Sequence, residues 1–257
     1  MARKKIVLVI VEGVSDDTAL GVALNQVYDR DTVHVEILHG DITARAGVVS
    51  QNVVSKIGDV VKSFAKARRY KASDFKQIIH LVDTDGVYIP NESIYENQTL
   101  DSFYYEDDGI YANSIDRVVR RNEQKRENLY RLRTTGSIWK VPYRVYYMSC
   151  NLDHVLHDKR NSSDEEKEDD AYAFAKRYKS DVKGFIDYMC NSAFSTNMNY
   201  RDSWSFIENG MNSVARHTNF NICINEEIKS QQEHQEEEHN ILKDTEETTQ
   251  HIVDKDS

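Results

Sequence analysis

Residues 6–17 read IVLVIVEGVSDD, and this stretch decides the fold. Six apolar residues, most of them β-branched, are followed at once by Glu12. A short continuous apolar run of this kind is typical of a strand that is buried on both faces of a parallel sheet. Glu12 would then lie at the carboxyl end of the strand, the edge where α/β sheets place their binding and catalytic groups.

Two later segments repeat this arrangement. Residues 78–86 read IIHLVDTDG and run into Asp83 and Asp85, while residues 143–153 read YRVYYMSCNLD and end in Asp153. If the three strands are parallel neighbours, their carboxylates converge at one edge of the sheet. Such a cluster of negative charges would repel itself strongly unless cations were present.

The segments between these strands carry helical patterns. Apolar residues three and four positions apart predict a helix over residues 17–28, and a second helix is predicted over 48–69, with a strand over 33–38 between them. The order strand, helix, strand, helix, strand predicts an α/β fold with a mainly parallel sheet flanked by helices.

The rest of the chain suggests three regions. Residues 1–160 form the expected catalytic domain, interrupted by an insertion over 87–140 whose first part, to residue 111, is rich in tyrosine and has no clear period. Residues 161–224 are expected to form a helical extension, with helices over 171–190 and 204–217. The acidic run at 164–170, DEEKEDD, is interpreted as an exposed turn or helix start without chemistry. Residues 225–257 are expected to be a disordered tail or a frayed helix.

The net charge of -10 is unevenly distributed. The segment from Asn225 onward holds 11 acidic and 3 basic residues, which leaves 32 acidic and 30 basic residues before it. The body of the protein is therefore nearly neutral, and its charge does not argue against binding to nucleic acid.

The composition predicts a soluble protein of the cytoplasm. Charged residues make up 30% of the chain, and mean hydropathy is -0.67. No apolar segment approaches the roughly 20 residues needed to cross a bilayer, and the first apolar run is too short for a signal peptide. Cys150, Cys190 and Cys223 are odd in number and far apart, so neither disulfides nor a zinc site is expected.

A predicted helix over residues 116–133 is rich in basic side chains. It holds seven basic residues and three acidic ones. One interpretation is a solvated helix face with ion pairs. The other is a surface that contacts the phosphates of nucleic acid through Arg117, Arg120, Arg121, Lys125 and Arg126.

The acidic residues suit hard divalent cations. Mg²⁺ binds carboxylate oxygens and keeps several of its waters. In an extended chain, Asp83 and Asp85 would point to the same side and could face one ion. With Glu12 and Asp16 nearby, there are enough carboxylates for two ions, which together would stabilise the attacking and the leaving oxygen of a phosphoryl displacement.

Other pairs of residues are weaker candidates. His154 and His157 lie three positions apart on a predicted helix and could bind a transition metal, but no companion ligand supports zinc. Arg216 and His217 could contact phosphate, although such a pair near a helix end is usually a capping group.

The motifs VEGVSD, at residues 11–16, and HLVDTDG, at residues 80–86, resemble those of the TOPRIM domain. That domain occurs in topoisomerases, bacterial primases and several nucleases. The form EGxSDxxxL is most similar to the OLD-type nucleases and related phage-defence proteins. The later segment CNLDHVLH looks like the OLD-type pattern, with Asp153 at a position where that family often has glutamate.

The resemblance implies a nuclease that depends on Mg²⁺ or Mn²⁺ and cleaves DNA or RNA. Glu12 would act as a metal ligand or general acid/base, Asp83 and Asp85 would hold a metal ion, and Asp16 and Asp153 would complete a second site. No ATPase motif is present, so an ATPase of the OLD type would have to be a separate partner of a toxic antiphage effector. A homodimer would suit cleavage of duplexes.

Two alternatives stay open. A TOPRIM protein with primase-type activity is one, although no zinc-binding or primer-initiating segment is visible. The other is a non-catalytic interaction module, in which the carboxylates bind a structural ion or cap turns.

Overall fold

The computed structural model describes residues 4–28, 33–40 and 42–253. The first half contains β1 (Lys5–Val11), α1 (Val14–Val27), β2 (Val33–His39), α2 (Val53–Arg68) and β3 (Phe75–Asp83). Next come β4 (Ile94–Glu96), β5 (Tyr104–Glu106), β6 (Gly109–Ala112), α3 (Ile115–Arg133), β7 (Ser137–Ile138), β8 (Val141–Met148) and α4 (Leu152–His157). The last helices are α5 (Asp164–Tyr178), α6 (Val182–Asn191), α7 (Tyr200–Ile207) and α8 (Phe220–Val253).

The main sheet has five strands in the order β2-β1-β3-β8-β7. The pairs β1–β2, β1–β3 and β3–β8 are parallel, and only the short β7 runs antiparallel to its neighbour. The predicted α/β class with a mainly parallel sheet is therefore confirmed. Because β1, β3 and β8 are parallel neighbours, their carboxyl ends meet at one edge.

Both faces of β1 are buried, as its continuous apolar run predicts. Val7 and Val9 pack with α1 and the C-terminal helices on one face. Leu8 and Ile10 pack with α2 and α3 on the other. Full burial of each such side chain stabilises the fold by about 1.5–3 kcal/mol, so this strand anchors two cores at once.

The segment after β3 is not irregular, contrary to expectation. Its three short strands form a second sheet in the order β4-β6-β5. Ile94 and Ile110 are buried there and pack against Val118 of α3 and Val214. Strands of three or four residues are too short to reveal their period in the sequence, which explains the error.

The C-terminal helices are part of the main core rather than a separate extension. The expected helix over 171–190 is two helices, α5 and α6, and α5 already begins in the acidic run, where Ser163 and Glu166 form a capping box. The expected helix over 204–217 is shorter, since α7 ends at Ile207 and turns follow it.

The expected tail is helical as far as it is described. The first turns of α8 bury Cys223 and Ile224 in the main core, and Lys76 of β3 lies 2.8 Å from the carboxylate of Glu227. These contacts anchor the start of the helix, so that of the two expectations for residues 225–257 the structure shows a helix, up to Val253. Residues 254–257 lie outside the described residues.

Within residues 4–28, 33–40 and 42–253, no helix is both long enough and apolar enough to cross a bilayer.

One buried histidine of β3 should affect the stability of the fold in acid. His80 is fully buried, its Nδ1 lies 2.8 Å from the Tyr143 hydroxyl, and burial together with the charge of Lys125 lowers its pKa to about 3. Below about pH 6.5 the unfolded chain takes up a proton that the folded chain refuses. This group alone should therefore lower the free energy of unfolding by about 1.4 kcal/mol per pH unit as pH falls from 6.5 toward 3.

Urea unfolding at several pH values between 7 and 4 would test this expectation. His80→Gln keeps a hydrogen-bonding group opposite Tyr143 but does not titrate in this range. As pH falls below about 6.5, the free energy of unfolding of the variant should decrease less steeply than that of the wild type. The difference should be about 1.4 kcal/mol per pH unit, which corresponds to the uptake of one proton. Equal slopes for the two proteins would contradict the assignment.

Candidate active site at the carboxyl edge of the sheet

The carboxylates after β1 and β3 meet as the sequence predicts. Oε1 of Glu12 accepts a hydrogen bond from the backbone N–H of Asp83 at 3.1 Å and another from the hydroxyl of Thr43 at 3.2 Å. Glu12 therefore connects the ends of two neighbouring strands, and its position is set by both of them.

The turn after β3 separates Asp83 from Asp85. Asp85 and Gly86 have left-handed backbone angles, with φ of 49° and 64°. The alternation of an extended strand, on which the expectation of an ion shared by Asp83 and Asp85 rested, ends at this turn. The two carboxylates nevertheless remain near enough for the charge of Asp85 to contribute to the raised pKa of Asp83, after the effects of burial and of Glu12 and Asp16.

This turn is held by residues from the C-terminal half of the chain. The hydroxyl of Thr84 donates to the backbone carbonyl of Ser213 at 2.8 Å, and the backbone N–H of Cys150 donates to the same carbonyl at 2.9 Å. The backbone N–H of Ser149 donates to the carbonyl of His217 at 2.8 Å. These hydrogen bonds connect the loop between α7 and α8 both to the turn that carries Asp83 and Asp85 and to the end of β8.

Asp16 approaches the cluster from the start of α1. Its Oδ2 accepts a hydrogen bond from the backbone N–H of Gly13 at 2.8 Å, which fixes the carboxylate at the helix N-terminus. Asp16 and Asp83 line the same small cavity of about 10 Å³ between β1, β3 and α4. That space is about large enough for one water molecule or a small ion.

The electrostatics differ between the two sides of the cluster. Burial, and then the charges of Glu12, Asp16 and Asp85, raise the pKa of Asp83 well above its ordinary value. Burial also raises the pKa of Asp16. The Asp83 side therefore carries an excess of negative charge, which a cation would relieve.

Asp85 has the opposite surroundings. Its Oδ2 lies 2.5 Å from Nζ of Lys125 and 3.4 Å from Nη1 of Arg121, both on α3. Burial would raise the pKa of Asp85, but these two cations outweigh it and lower the pKa below its ordinary value. Asp85 is therefore an ionised partner of α3.

Asp153 lies in the first turn of α4 and is largely buried. Burial raises its pKa to about 6, with the charge of Asp16 contributing in the same direction and that of Lys167 opposing it. The charge of Asp16 therefore influences Asp153. Asp153 does not, however, line the cavity between Asp16 and Asp83.

The basic helix α3 divides into exposed and inward residues. Arg117 and Arg120 are exposed, and Arg126 is half-buried beside a surface cavity. Arg121 stacks on the Phe103 ring as well as pairing with Asp85. Lys125 is fully buried, so the expectation that it contacts nucleic acid from the surface is wrong. Its ammonium group instead forms ion pairs with Asp85 and Glu12, which compensate for its lost hydration.

The expected pair of metal sites is not assembled from all five carboxylates. Among residues 4–28, 33–40 and 42–253, no three His, Cys, Asp or Glu side chains are grouped so as to hold a metal ion. Asp16 and Asp83 supply two carboxylates, a number that Mg²⁺ commonly uses. The cavity between them is otherwise lined by apolar side chains and has room for about one water molecule, so the waters and phosphate that complete the coordination of the ion would have to lie outside it. Lys125 occupies the side of Asp85.

Three residues near the cluster were missed in the sequence. Thr43 is buried and donates to Glu12. Burial and then the charge of Asp85 raise the pKa of Tyr105, and the charge of Lys167 partly offsets the burial that raises the pKa of Asp16. Lys167 stands within the acidic run that was interpreted as lacking chemistry. The only signal in the sequence was that Lys167 is the one basic residue among the seven charged residues 164–170.

The weaker candidates have structural roles. Nε2 of His154 lies 3.6 Å from Asp158, and the His157 ring packs against Phe174. The guanidinium of Arg216 donates to the backbone carbonyl of Val155 at 2.8 Å. These contacts anchor α4 to its surroundings, and the two histidines do not form a joint metal site.

No family model, no curated protein and no solved structure matches the chain.

Proposed function

We propose that the protein is a TOPRIM-type nuclease that uses Mg²⁺ or Mn²⁺ to hydrolyse phosphodiester bonds in DNA or RNA. The observation that carries the proposal is the convergence of Glu12, Asp16 and Asp83 at the carboxyl ends of adjacent parallel strands. The resemblance of the two motifs to OLD-type nucleases supports it.

Each residue of the site has a distinct part in this proposal. Asp16 and Asp83 would hold the metal ion. A bound Mg²⁺ would supply Lewis acidity toward the scissile phosphate and lower the pKa of a bound water. Glu12, held by the Asp83 backbone and by Thr43, would accept a proton from the attacking water.

The exposed part of α3 would hold the substrate. Arg117 and Arg120 lie on the same helix as Arg121 and Lys125, which pair with the acidic cluster. Guanidinium groups recognise phosphate through paired hydrogen bonds, so this surface would position the backbone without reading its sequence.

A toxic role in antiphage defence, controlled by a separate ATPase, is a further part of the proposal. It rests on the similarity of the motifs at residues 11–16 and 80–86 to those of OLD-type proteins. Cytoplasmic location and a homodimer belong to the same proposal.

One observation favours a non-catalytic interaction module as the second candidate. Lys125 pairs with Asp85 and Glu12, so the cluster is partly neutralised by the protein itself. A cluster whose charges are balanced by the protein itself could hold the strand ends together without a metal ion. The β4-β6-β5 sheet would then be the surface that binds a partner protein.

Cleavage assays with the full chain would separate these candidates. Single- and double-stranded DNA and RNA would be incubated in Mg²⁺, in Mn²⁺ and in chelator. We expect cleavage only with the metals, and Glu12→Gln should reduce the rate by at least about 10-fold, because an amide cannot accept the proton. Absence of cleavage with every substrate and metal would favour the interaction module.

A further inference from the structure

A surface cavity of about 540 Å³ lies along the second half of α3. Arg126, Glu127, Tyr130 and Arg131 line it, and their spacing places them on one face of the helix. Its volume falls within the range of about 300–1,000 Å³ that is typical of small-molecule sites. We call this cavity the α3 groove.

The α3 groove lies beside the carboxyl edge of the main sheet. Tyr88, which also lines it, follows Asp85 by three residues. Ser50 lines it too and belongs to the loop after β2. The same loop is bound to α3, because Nε2 of Gln124 donates to the backbone carbonyl of Val48 at 2.7 Å. A ligand in the groove would therefore lie next to the candidate active site.

Two arginines of the α3 groove are not paired with acidic groups. In the part of the chain that the structure describes, no carboxylate lies within 4.0 Å of the guanidinium of Arg126 or Arg131. The two lining glutamates have other partners: Glu208 lies 2.9 Å from Nη1 of Arg133, and Glu127 accepts a hydrogen bond from a serine hydroxyl at 3.2 Å. Two guanidinium groups are thus left for an anion, and guanidinium binds phosphate through paired hydrogen bonds.

Two tyrosines supply the other part of the groove. Tyr130 is 59% exposed, and Cζ of Arg133 lies 5.1 Å from the centroid of its ring. The hydroxyl of Tyr88 is buried and has no hydrogen-bond partner among the described residues, a cost that a ligand oxygen would relieve. Burial and then the charge of Glu208 raise the pKa of this hydroxyl, while the charges of Arg133 and Arg126 oppose them, so it lies near the charged residues of the groove.

An exposed aromatic ring beside unpaired guanidinium groups suits a nucleotide. A base stacks on the ring while the neighbouring phosphate pairs with arginine. In a duplex both faces of each base are covered by its neighbours. Only a single strand, or a nucleotide that has left the stack, offers a free face to a tyrosine.

We propose that the α3 groove binds one nucleotide of a single-stranded nucleic acid, with the base on the Tyr130 ring and the phosphate on Arg126 and Arg131. The inference rests on the proposed function, because it names the form of nucleic acid that is brought to the carboxylates. Every base has a face that can stack, so the groove selects single strands without reading their sequence.

Fluorescence anisotropy in the presence of chelator tests the proposal without cleavage. The probes are a short labelled single strand, as DNA and as RNA, and a duplex of the same sequence. Tyr130→Ala should weaken binding of the single strand by about 5- to 150-fold, the loss expected for one base stacked on an aromatic ring, and change binding of the duplex by less than about 2-fold. Tyr130→Phe keeps the ring and should bind the single strand within about 2-fold of the wild type.

The matched control is Tyr172→Ala. Tyr172 is 66% exposed, but it belongs to α5, which packs on the opposite face of the main sheet from α3. Its substitution should leave the affinity for both probes unchanged. Equal losses for single strand and duplex in Tyr130→Ala, no loss for either, or tighter binding of the duplex by the wild type would overturn the proposal.

The salt dependence of binding tests the phosphate contact. Arg126→Gln and Arg131→Gln should each lower the slope of log affinity against log salt concentration by about 0.7, the value for one phosphate contact on a single strand. Arg177→Gln removes an exposed arginine of α5 and should leave the slope as it is. Unchanged slopes in both groove variants would also overturn the proposal.

Failure of the proposed function would give a different result. A chain that prefers single strands through Tyr130, yet cleaves neither DNA nor RNA with Mg²⁺ or Mn²⁺, would refute the nuclease and leave the groove intact. Metal-dependent cleavage of subsaturating single strands at equal rates by Tyr130→Ala and the wild type would do the reverse.

Discussion

Asp83→Asn should reduce Mg²⁺-dependent cleavage of nucleic acid by at least about 100-fold, equivalent to about 3 kcal/mol of transition-state stabilisation. The substitution preserves the size of the side chain and its place beside Asp16, but removes one negative charge from the small cavity. Because the charges of Glu12, Asp16 and Asp85 all raise the pKa of Asp83, the folded protein itself should lose no stability from the change.

The matched control is Asp17→Asn. Asp17 is adjacent to Asp16 on α1 but lines a separate groove with Glu36 and Lys176. Its substitution should change the cleavage rate by less than about 3-fold, since its charge is the smallest of the influences that act on Asp16. Initial rates at saturating substrate, and urea unfolding of each variant, supply the measurements. Equal rates for Asp83→Asn and the wild type would remove Asp83 from the mechanism.

Gly86→Ala should lower the free energy of unfolding by about 2–4 kcal/mol. The left-handed backbone at Gly86 costs an alanine about 1 kcal/mol, and overpacking adds about 1–3 kcal/mol. The added methyl group would lie 2.5 Å from Cγ1 of Val214 and 3.1 Å from Cδ1 of Ile110. Either the turn after β3 or the loop that carries Val214 must then move.

Gly210→Ala separates the two contributions. Gly210 has φ of 55° and nothing within 4 Å of an added Cβ, so its substitution should cost only the backbone part, about 1 kcal/mol. Val214→Ala in the Gly86→Ala background should recover part of the packing cost, and a double-mutant cycle would measure the coupling. Additive effects of the two substitutions would show that the overlap with Val214 is relieved in some other way.

The main sheet could be predicted from the sequence because its strands are continuous apolar runs. The strands that end at Val11 and Asp83 also end in carboxylates, and parallel pairing then brings Glu12 and Asp83 together. These inferences need only local patterns and the rule for parallel connections.

The electrostatic arrangement could not be predicted in the same way. The pairing of Lys125 with Asp85 depends on how far α3 is rotated about its axis, and the sequence does not show which of the six arginines and one lysine of that helix face inward. The separation of Asp83 from Asp85 depends on a left-handed residue that is not glycine, which a motif does not reveal. Both features arise from tertiary contacts.

The candidate site is completed by residues that the ribosome adds late, because the loop between α7 and α8 lies far along the chain from the carboxylates. Thr84 and Cys150 bond to the backbone of Ser213, and Ser149 bonds to that of His217. A nascent chain that has released only its first 200 residues contains every acidic group of the cluster but none of these supports. For a protein whose proposed activity would harm its own cell, the finished turn would form only after residues 213–217 had left the ribosome.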